Sequence, residues 1–398
     1  MEHKTRIKGN VHYVGVNDRN KHRFEGMWPL PYGVSYNSYL IDDEMVALVD
    51  TVDICYFEVY LRRIKQVIGE RPINYLIINH MEPDHSGSIR LIKQHYPGII
   101  IVGNKQTFGM IEGFYGVTGE QYLVKEGDFL ALGHHKLRFY MTPMVHWPET
   151  MMTFDETDGV LFSGDGFGCF GTVDGGFLDT QINVDKYWGE MVRYYSNIVG
   201  KYGSPVQKAL QKLGGLPISA ICSTHGPVWT ENIAKVIGIY DRLSRYDADE
   251  GVVIAYGSMY GNTEQMAEAI AEELSAQGVK NIVMHNVTKS HPSYIIADIF
   301  RYKGLIIGSP TYSNQIFPEV EALLSKILLR EVKGRYLGYF GSFTWAGAAV
   351  KRLAEFAEKS KFELVGDPVE MKQAMKDLTY TQCENLARAM ADRLKKDR

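Results

Sequence analysis

The sequence has 398 residues, which is long enough for two domains with separate hydrophobic cores. A hydrophobic content of 45%, a charged content of 23% and a formal net charge of -4 are typical of a soluble globular protein, without the basic excess of a nucleic-acid-binding protein. No apolar run approaches the roughly 20 residues that a membrane helix needs. The charged start MEHKTRIKGN lacks the apolar segment of a secretory signal, and the four cysteines form no C-x-x-C pair. We therefore expect a cytoplasmic protein without a disulfide framework.

The first half of the chain is rich in short apolar strands, with fewer helices between them. We predict strands at VALVDT, YLIIN, IIIVG, KLRFYMT, GVLFSG and AICST. The stretch DRLSRYDADEG at 241–251 is polar, charged and without apolar periodicity, and it marks a break in the chain. We predict an N-terminal domain of residues 1–248 and a C-terminal domain of residues 249–398.

Strands and helices alternate in the second half. The strand VVIAYG precedes the helix EQMAEAIAEELSAQG, in which Met266, Ile270 and Leu274 recur at helical spacing. The strands GLIIG and LGYFG follow, and each leads into a helical stretch. This alternation is typical of a doubly wound parallel sheet covered by helices.

Side chains that can bind a metal follow several of the predicted first-half strands. The segment NHMEPDHSGS at 79–88 is especially dense in them, and three further candidates stand just past other strand ends. Because strand ends can converge at one edge of a sheet, we predict a metal site there. Its candidate ligands are His80, Glu82, Asp84, His85, His146, Asp165 and His225.

The size and charge of this ligand set indicate the metal. Seven ligands are too many for one tetrahedral ion and suit two ions, with Asp165 placed to bridge them. Three carboxylates and a bridging hydroxide would nearly neutralise two divalent ions. Carboxylate ligands favour harder ions and higher oxidation states, so Glu82 favours iron and redox chemistry over zinc and hydrolysis.

Three loops at predicted strand ends of the second half are suited to a flavin. GSMYGNTEQMAEAI opens a helix with hydroxyls that can cradle a phosphate, while GSPTYSNQIFPE and GSFTWAGAAVK add aromatic residues. Neither a G-x-x-x-x-G-K-[ST] nor a G-x-G-x-x-G motif occurs there, which argues against a nucleoside triphosphate or dinucleotide site. The loops fit FMN, although Trp345 could instead be a core tryptophan. The candidate cofactor-binding residues are Ser258, Met259, Tyr260, Gly261, Asn262, Thr263, Pro310, Thr311, Tyr312, Asn314, Ser342, Phe343, Thr344, Trp345, Ala346 and Gly347.

The pattern H-x-E-x-D-H, followed by His146, Asp165 and His225, resembles that of the flavodiiron proteins (A-type flavoproteins). The resemblance covers the whole chain and implies a two-domain α/β and α+β protein, in a short form without a rubredoxin domain. The N-terminal domain would be a metallo-β-lactamase-like αβ/βα sandwich, and the C-terminal domain would be flavodoxin-like. The resemblance implies that one iron is held by His80, Glu82 and His146, the other by Asp84, His85 and His225, and that Asp165 bridges them.

Two further segments, HWPET at 146–150 and RYYSNI at 193–198, resemble family segments beside the diiron pocket. They imply that Tyr195, or its neighbour Tyr194, is the phenol beside bound substrate. The segment RFEG at 23–26 departs from the family, because Glu25 stands where several relatives have a histidine.

The resemblance implies an electron-fed reductase that converts dioxygen to water or nitric oxide to nitrous oxide, as a detoxification. No cysteine pairs follow the flavodoxin-like part, so the implied electron donor is a separate rubredoxin-like protein or a reduced deazaflavin coenzyme. The family also implies a head-to-tail homodimer, with pairing of dimers into a tetramer as a further option. Two alternatives stay open, namely a zinc-dependent hydrolase of the metallo-β-lactamase superfamily with a flavodoxin-like module, and an electron carrier with a vestigial metal site.

Overall fold

The computed structural model describes residues 5–397, and the chain divides into two compact units. The first unit contains the residues up to Tyr195 together with Tyr202–Ser244, and the second contains Ser196–Lys201 together with the residues from Arg245 onward. The polar stretch at 241–251 is a shorter break than predicted. One helix continues to Ser244 because Leu243 is buried, and a strand begins at Asp249.

The strands of the first unit form two main sheets. In chain order they are β1 (Arg6–Lys8), β2 (Val11–Tyr13), β3 (Val16–Asp18), β4 (Arg23–Phe24), β5 (Trp28–Pro29), β6 (Val34–Tyr36), β7 (Tyr39–Ile41), β8 (Ala47–Val49), β9 (Tyr75–Ile77), β10 (Ile100–Gly103), β11 (Gln121–Leu123), β12 (Phe129–Ala131), β13 (Lys136–Met141), β14 (Met151–Asp155), β15 (Val160–Gly164) and β16 (Ala220–Ser223). One sheet has the order β1-β2-β7-β8-β9-β10-β11, with β8 to β11 parallel. The other has the order β12-β13-β14-β15-β16, in which β15 and β16 are parallel. All six strands predicted in the first half are present.

The two sheets of the first unit share one hydrophobic core. Tyr39 and Ile77 of the first sheet and Phe139 and Phe162 of the second belong to the same buried cluster. The helices are α1 (Phe57–Ile68), α2 (Pro83–Ser86), α3 (Ile89–His95), α4 (Lys105–Tyr115), α5 (Asp185–Tyr194), α6 (Gly203–Leu213) and α7 (Ile233–Ser244). They are more numerous than the sequence analysis expected. Together with the sheets they form the predicted metallo-β-lactamase-like sandwich.

The second unit has one mainly parallel sheet between helices. Its elements are β17 (Asp249–Tyr256), α8 (Asn262–Ala276), β18 (Ile282–Asn286), α9 (Pro292–Arg301), β19 (Tyr302–Tyr312), β20 (Gln315–Ile316), α10 (Pro318–Leu329), β21 (Tyr336–Phe343), α11 (Ala349–Ser360), β22 (Glu363–Leu364), β23 (Val369–Lys372) and α12 (Asp377–Lys395). The order β18-β17-β19-β21-β22 is parallel throughout, as in flavodoxin-like folds. Within residues 5–397, no helix combines the length and the apolar character needed to cross a membrane.

Candidate metal centre and flavin site

All seven predicted metal-ligand residues lie just past strand ends or in the short helix α2, and all are buried. His80 follows β9, and Pro83 begins α2, so that Glu82 is extended while Asp84 and His85 are helical. The other three residues follow β13, β15 and β16 in the second sheet. Each of the seven side chains belongs to a residue that is at most 8% exposed. The ends of strands from both sheets therefore contribute residues to one site.

Asp165 stands between two groups of these side chains. Its Oδ2 lies 3.1 Å from Nε2 of His146 and 3.7 Å from Nε2 of His80. Its Oδ1 lies 3.2 Å from Nε2 of His85 and 3.6 Å from Nε2 of His225. The two oxygens of one carboxylate thus face two different sets of ligand atoms.

The remaining carboxylates complete the two groups. Glu82 Oε2 lies 3.2 Å from His146 Nε2 and 3.7 Å from His80 Nε2. Asp84 Oδ2 lies 3.3 Å from His225 Nε2, and its Oδ1 lies 3.5 Å from His85 Nε2. Each group therefore has two histidines and one carboxylate of its own, with Asp165 shared.

Several of these atoms are buried without a hydrogen-bond partner. They are Nε2 of His80, His85 and His225 and both carboxylate oxygens of Asp84. Leaving a buried polar atom unsatisfied costs about 1–3 kcal/mol, so a cluster of such atoms aimed at a common point needs another explanation. Metal ions at the centre of each group would satisfy all of them, and the donor set fits that role.

The site carries strong negative potential. Burial disfavours a charged imidazole, yet the Asp84 and Asp165 carboxylates raise the pKa of His85 to about 10. Burial also opposes ionisation of Asp165, but the surrounding histidines hold its pKa well below the ordinary value. Both directions indicate a pocket built to surround positive charge.

Further residues fix the ligand side chains in place. His80 Nδ1 donates to Glu149 Oε1 at 2.7 Å, and His225 Nδ1 donates to the Ser35 carbonyl oxygen at 2.8 Å. The Thr224 hydroxyl donates to Asp165 Oδ1. Sequence reasoning quoted Glu149 within HWPET but missed this role, as it missed that of Ser35, because each contact joins distant parts of the chain.

A cavity of 440 Å³ opens beside the site, and Glu82 and Asp84 form part of its wall. Glu25 lies in the same wall, where its Oε2 accepts a hydrogen bond of 2.9 Å from Trp28 Nε1. Burial and the Glu82 charge raise the pKa of Glu25. Phe24 packs edge-on against the His225 ring at 5.3 Å, so the β4–β5 hairpin helps to enclose the site.

The two candidate tyrosines have different surroundings. The Tyr194 ring lies 5.8 Å from the His225 ring, and burial together with the Asp165 charge raises the Tyr194 pKa well above its ordinary value. The Tyr195 ring instead packs against Tyr240 at 5.0 Å. Both tyrosines are fully buried, and the Tyr194 ring contacts a candidate ligand.

In the second unit, the three predicted loops surround a cavity of 410 Å³ at the carboxyl ends of β17, β19 and β21. Thr263 is buried at the start of α8, and its hydroxyl lies 2.8 Å from that of Ser342. Tyr260 and Trp345 are 88% and 80% exposed, so Trp345 is not a core tryptophan. The cavity lining contains all of the predicted residues except Gly261 and Gly347, and it adds Ser313 and Gln373.

The two glycines outside the lining differ in their surroundings. Gly261 precedes α8 with a φ of 88°, a left-handed conformation that favours glycine, and its N–H donates to Ser258 Oγ. At Gly347, an added Cβ would lie 2.5 Å from Glu370 Oε1. Gln373 reaches the cavity from the segment after β23, where the sequence carries no recognisable loop motif.

Comparisons with known proteins agree with both halves of this description. The family model described as ODP family beta lactamase matches residues 34–226, and the flavodoxin model matches residues 254–385. An anaerobic nitric oxide reductase flavorubredoxin from Vibrio vulnificus (strain YJ016) is 32% identical over 363 residues, covering 90% of this chain and 73% of that protein.

Two solved structures share the fold across almost the whole chain. Rubredoxin oxygen:oxidoreductase from Desulfovibrio gigas has a TM-score of 0.95 and 31% identity, with 98% of each chain covered. The flavodiiron protein from Giardia intestinalis has a TM-score of 0.91 and 27% identity, with 98% of this chain and 97% of that chain covered. On the strength of this similarity, the chain belongs to the flavodiiron protein family.

Proposed function

We propose that this protein is an electron-fed oxidoreductase that reduces dioxygen to water, nitric oxide to nitrous oxide, or both. The observation that carries the proposal is the shared position of Asp165, whose two oxygens face two complete groups of ligand atoms. The names of the similar proteins, a nitric oxide reductase and a rubredoxin oxygen:oxidoreductase, support the same class of reaction. A zinc-dependent hydrolase is not favoured, because neither name indicates hydrolysis.

The residues suit two irons. We assign one iron to His80, Glu82 and His146, the other to Asp84, His85 and His225, and the bridging position to Asp165 with a hydroxide. Three ligand carboxylates favour iron over zinc and stabilise the oxidised state. The unpartnered Nε2 atoms of His80, His85 and His225 support the assignment.

The second unit suits FMN. The hydroxyls of Ser258 and Thr263 and the N-terminus of α8 are placed to hold one phosphate, since exposed N–H groups at a helix start bind anions. The exposed rings of Tyr260 and Trp345 can flank a planar ring system. When bound, the flavin and the iron pair would supply the electrons that the reduction consumes.

The protein itself must hold the substrate and supply protons, since both reductions consume protons. Tyr194 lies against His225 with a phenol that stays protonated, and we assign it rather than Tyr195 as the hydrogen-bond donor beside substrate. Phe24 lines the cavity and packs against the His225 ring, so it would shield this ligand from water in the cavity. Glu25 stands in the wall of the cavity that we propose as the route of the gas to the site.

We further propose a head-to-tail homodimer, in which the flavin of one subunit faces the irons of the other, with tetramers as pairs of dimers. Large exposed side chains around the flavin cavity support a covering partner, namely Met259, Tyr260, Tyr312 and Trp345. The electron donor would be a separate rubredoxin-like protein or a reduced deazaflavin coenzyme, in the cytoplasm. Residues 1–248 would form the diiron domain and residues 249–398 the flavin domain.

The central test measures the iron and FMN content of the purified protein and then its reaction with each gas. We expect a yellow protein with about two irons and one FMN per chain. After anaerobic reduction, separate exposure to dioxygen and nitric oxide should yield water and nitrous oxide in amounts that match the electrons supplied. A colourless protein that binds zinc in iron-sufficient cells, or a reduced protein that reacts with neither gas, would overturn the proposal.

The dimer has its own test. Chains carrying His85→Ala, which lack an intact metal site, are co-expressed with chains carrying Thr263→Val and Trp345→Ala, which lack the flavin site. Mixed dimers should regain about one working flavin–iron pair if electrons cross between subunits. Mixed dimers that hold both cofactors and stay inactive would exclude this arrangement.

A further inference from the structure

The proposed ligand histidines differ in the hydrogen-bond partner of Nδ1, the ring nitrogen that is not assigned to the metal. Glu149 Oε1 accepts a hydrogen bond from Nδ1 of His80 at 2.7 Å, so an anion stands behind that ligand. The corresponding nitrogen of His225 meets a neutral backbone carbonyl, that of Ser35, at 2.8 Å. Nδ1 of His85 is buried and has no hydrogen-bond partner. One iron position therefore has a carboxylate hydrogen-bonded to a ligand imidazole, whereas at the other position the buried Asp50 carboxylate acts on His85 only through space.

The Glu149 carboxylate is fixed by hydrogen bonds and is shielded from solvent. The residue is fully buried, and Oε1 also accepts a hydrogen bond of 2.9 Å from the backbone N–H of Met81. Its second oxygen, Oε2, is buried without a hydrogen-bond partner. Among residues 5–397, its ion pair is with His80 and with no lysine or arginine. The charge of Glu149 therefore acts mainly through His80.

The segment that carries Glu149 also belongs to the same iron position. His146 is three residues earlier, and the Trp147 ring packs edge-on against the His80 ring at 5.3 Å. The Asn104 amide donates to the Glu149 carbonyl oxygen at 2.6 Å and anchors the segment to the start of α4. His80 and His146 are therefore positioned by one short, tethered piece of chain.

We propose that Glu149 is a positioning residue that makes the two irons unequal, by lowering the reduction potential of the iron held by His80, Glu82 and His146. A carboxylate behind a ligand imidazole makes the imidazole a stronger donor and stabilises the ferric ion in front of it. At low dielectric, an uncompensated buried charge acts strongly over such distances. The iron that Asp84, His85 and His225 would hold would then have the higher reduction potential and would be the first of the two to accept an electron, while the iron held by His80, Glu82 and His146 would favour the ferric state.

This inference rests on the proposed function, and the test separates the two. Glu149→Gln keeps the volume and the hydrogen-bond acceptor but removes the charge, whereas Glu149→Asp keeps the charge at a shorter reach. Asp179→Asn is the matched control, because it removes the charge of a buried carboxylate that accepts hydrogen bonds from Thr230 and Asn232 rather than from a ligand histidine. The measurement is a potentiometric titration of the iron-loaded proteins, followed by Mössbauer and electron paramagnetic resonance spectroscopy.

In the wild-type protein we expect two separated iron potentials, with the more negative one at the His80 position. Glu149→Gln should shift that potential upward and narrow the separation between the two potentials, while Glu149→Asp and Asp179→Asn keep it. In metal-stripped protein, Glu149→Gln should bind the first of two zinc ions normally and the other about 10- to 100-fold more weakly.

Each of the other possible results supports or contradicts either the inference or the proposed function. An unchanged separation in Glu149→Gln with both irons bound would overturn the inference and leave the proposed function intact. If that variant holds a single iron, loss from the His80 position supports the inference, and equal loss from both positions contradicts it. A wild-type protein without iron would instead refute the proposed function.

Discussion

Asp50 is a buried support of the metal site that can be tested by substitution with alanine. Its Oδ1 accepts the Asn79 backbone N–H at 2.8 Å and its Oδ2 accepts the Asn79 side-chain amide at 3.1 Å. A weaker contact of 3.4 Å reaches the N–H of His80. Asp50 is 2% exposed and has a φ of 53°, a left-handed conformation that Asp and Asn tolerate better than Ala. It therefore fixes the residues that lead directly into a candidate ligand.

The expected cost of Asp50→Ala follows from these contacts. Two strong donors lose their acceptor, at about 1–3 kcal/mol each. The left-handed backbone adds about 1 kcal/mol for alanine. Burial raises the pKa of the Asp50 carboxyl, so its removal also relieves a cost of burial and offsets part of the lost stability. We expect a net loss of about 4 kcal/mol from the first unit. Asp50→Asn keeps the backbone conformation and one acceptor, so it should lose only about 1 kcal/mol.

Urea unfolding followed by tryptophan fluorescence measures this loss. Four of the five tryptophans lie in the first unit, so a Trp345→Phe background leaves a signal from that unit alone. Iron content should fall in Asp50→Ala, because His80 would lose its fixed approach. A loss of stability below about 1 kcal/mol, or equal losses in the Ala and Asn variants, would refute the reasoning.

Three other outcomes follow from the structure. Burial opposes protonation of His135, but its hydrogen bond to Asp155 and nearby carboxylates raise its pKa in the folded protein. The charged imidazole therefore stabilises the fold fully below about pH 6.5, and this contribution is lost as pH rises through the folded pKa. His135→Gln should remove this pH dependence of the free energy of unfolding, as measured by unfolding at different pH values. Glu82→His should keep the fold, shift metal preference toward zinc and remove most reductase activity. Metal analysis and a turnover assay test this expectation, and full iron content with full activity would contradict it. Thr263→Val, which removes the hydroxyl facing Ser342, should weaken FMN binding about 10- to 100-fold in a fluorescence titration, and unchanged affinity would exclude a phosphate contact.

The sequence predicted the strands, and it predicted that the candidate ligands lie together, because both predictions rest on local patterns. Within a window of ten residues the sequence shows an apolar strand followed by His80, Asp165 or His225. In the structure these strands belong to two different sheets, and their ends come together at the site. The cavity formed by the three loops of the second unit was predictable for the same reason, since each loop directly follows a strand of a parallel sheet.

Features that depend on distant contacts were not predictable. Glu149 meets His80 across 69 positions, and Asp50 meets Asn79 across 29 positions. Gln373 reaches the flavin cavity with a φ of 67° from a segment without a loop motif. Helix α1 is different, because Phe57, Tyr60, Ile64 and Ile68 are buried at helical spacing and this signal was present but overlooked.

The choice of glutamate at position 82 follows from the charge of the whole pocket. The ligand set has three carboxylates, and Glu149 adds a fourth buried one behind His80. Such a group of anions is stable only around positive charge, as the raised pKa values of the surrounding histidines show. With histidine at position 82, the pocket would match two divalent ions more loosely and stabilise ferric ions less. The oxidised iron pair carries more positive charge than the reduced pair, so each carboxylate makes the irons better reductants toward a bound gas. Glu82 and Glu149 serve that same end, one as a proposed ligand and the other through His80.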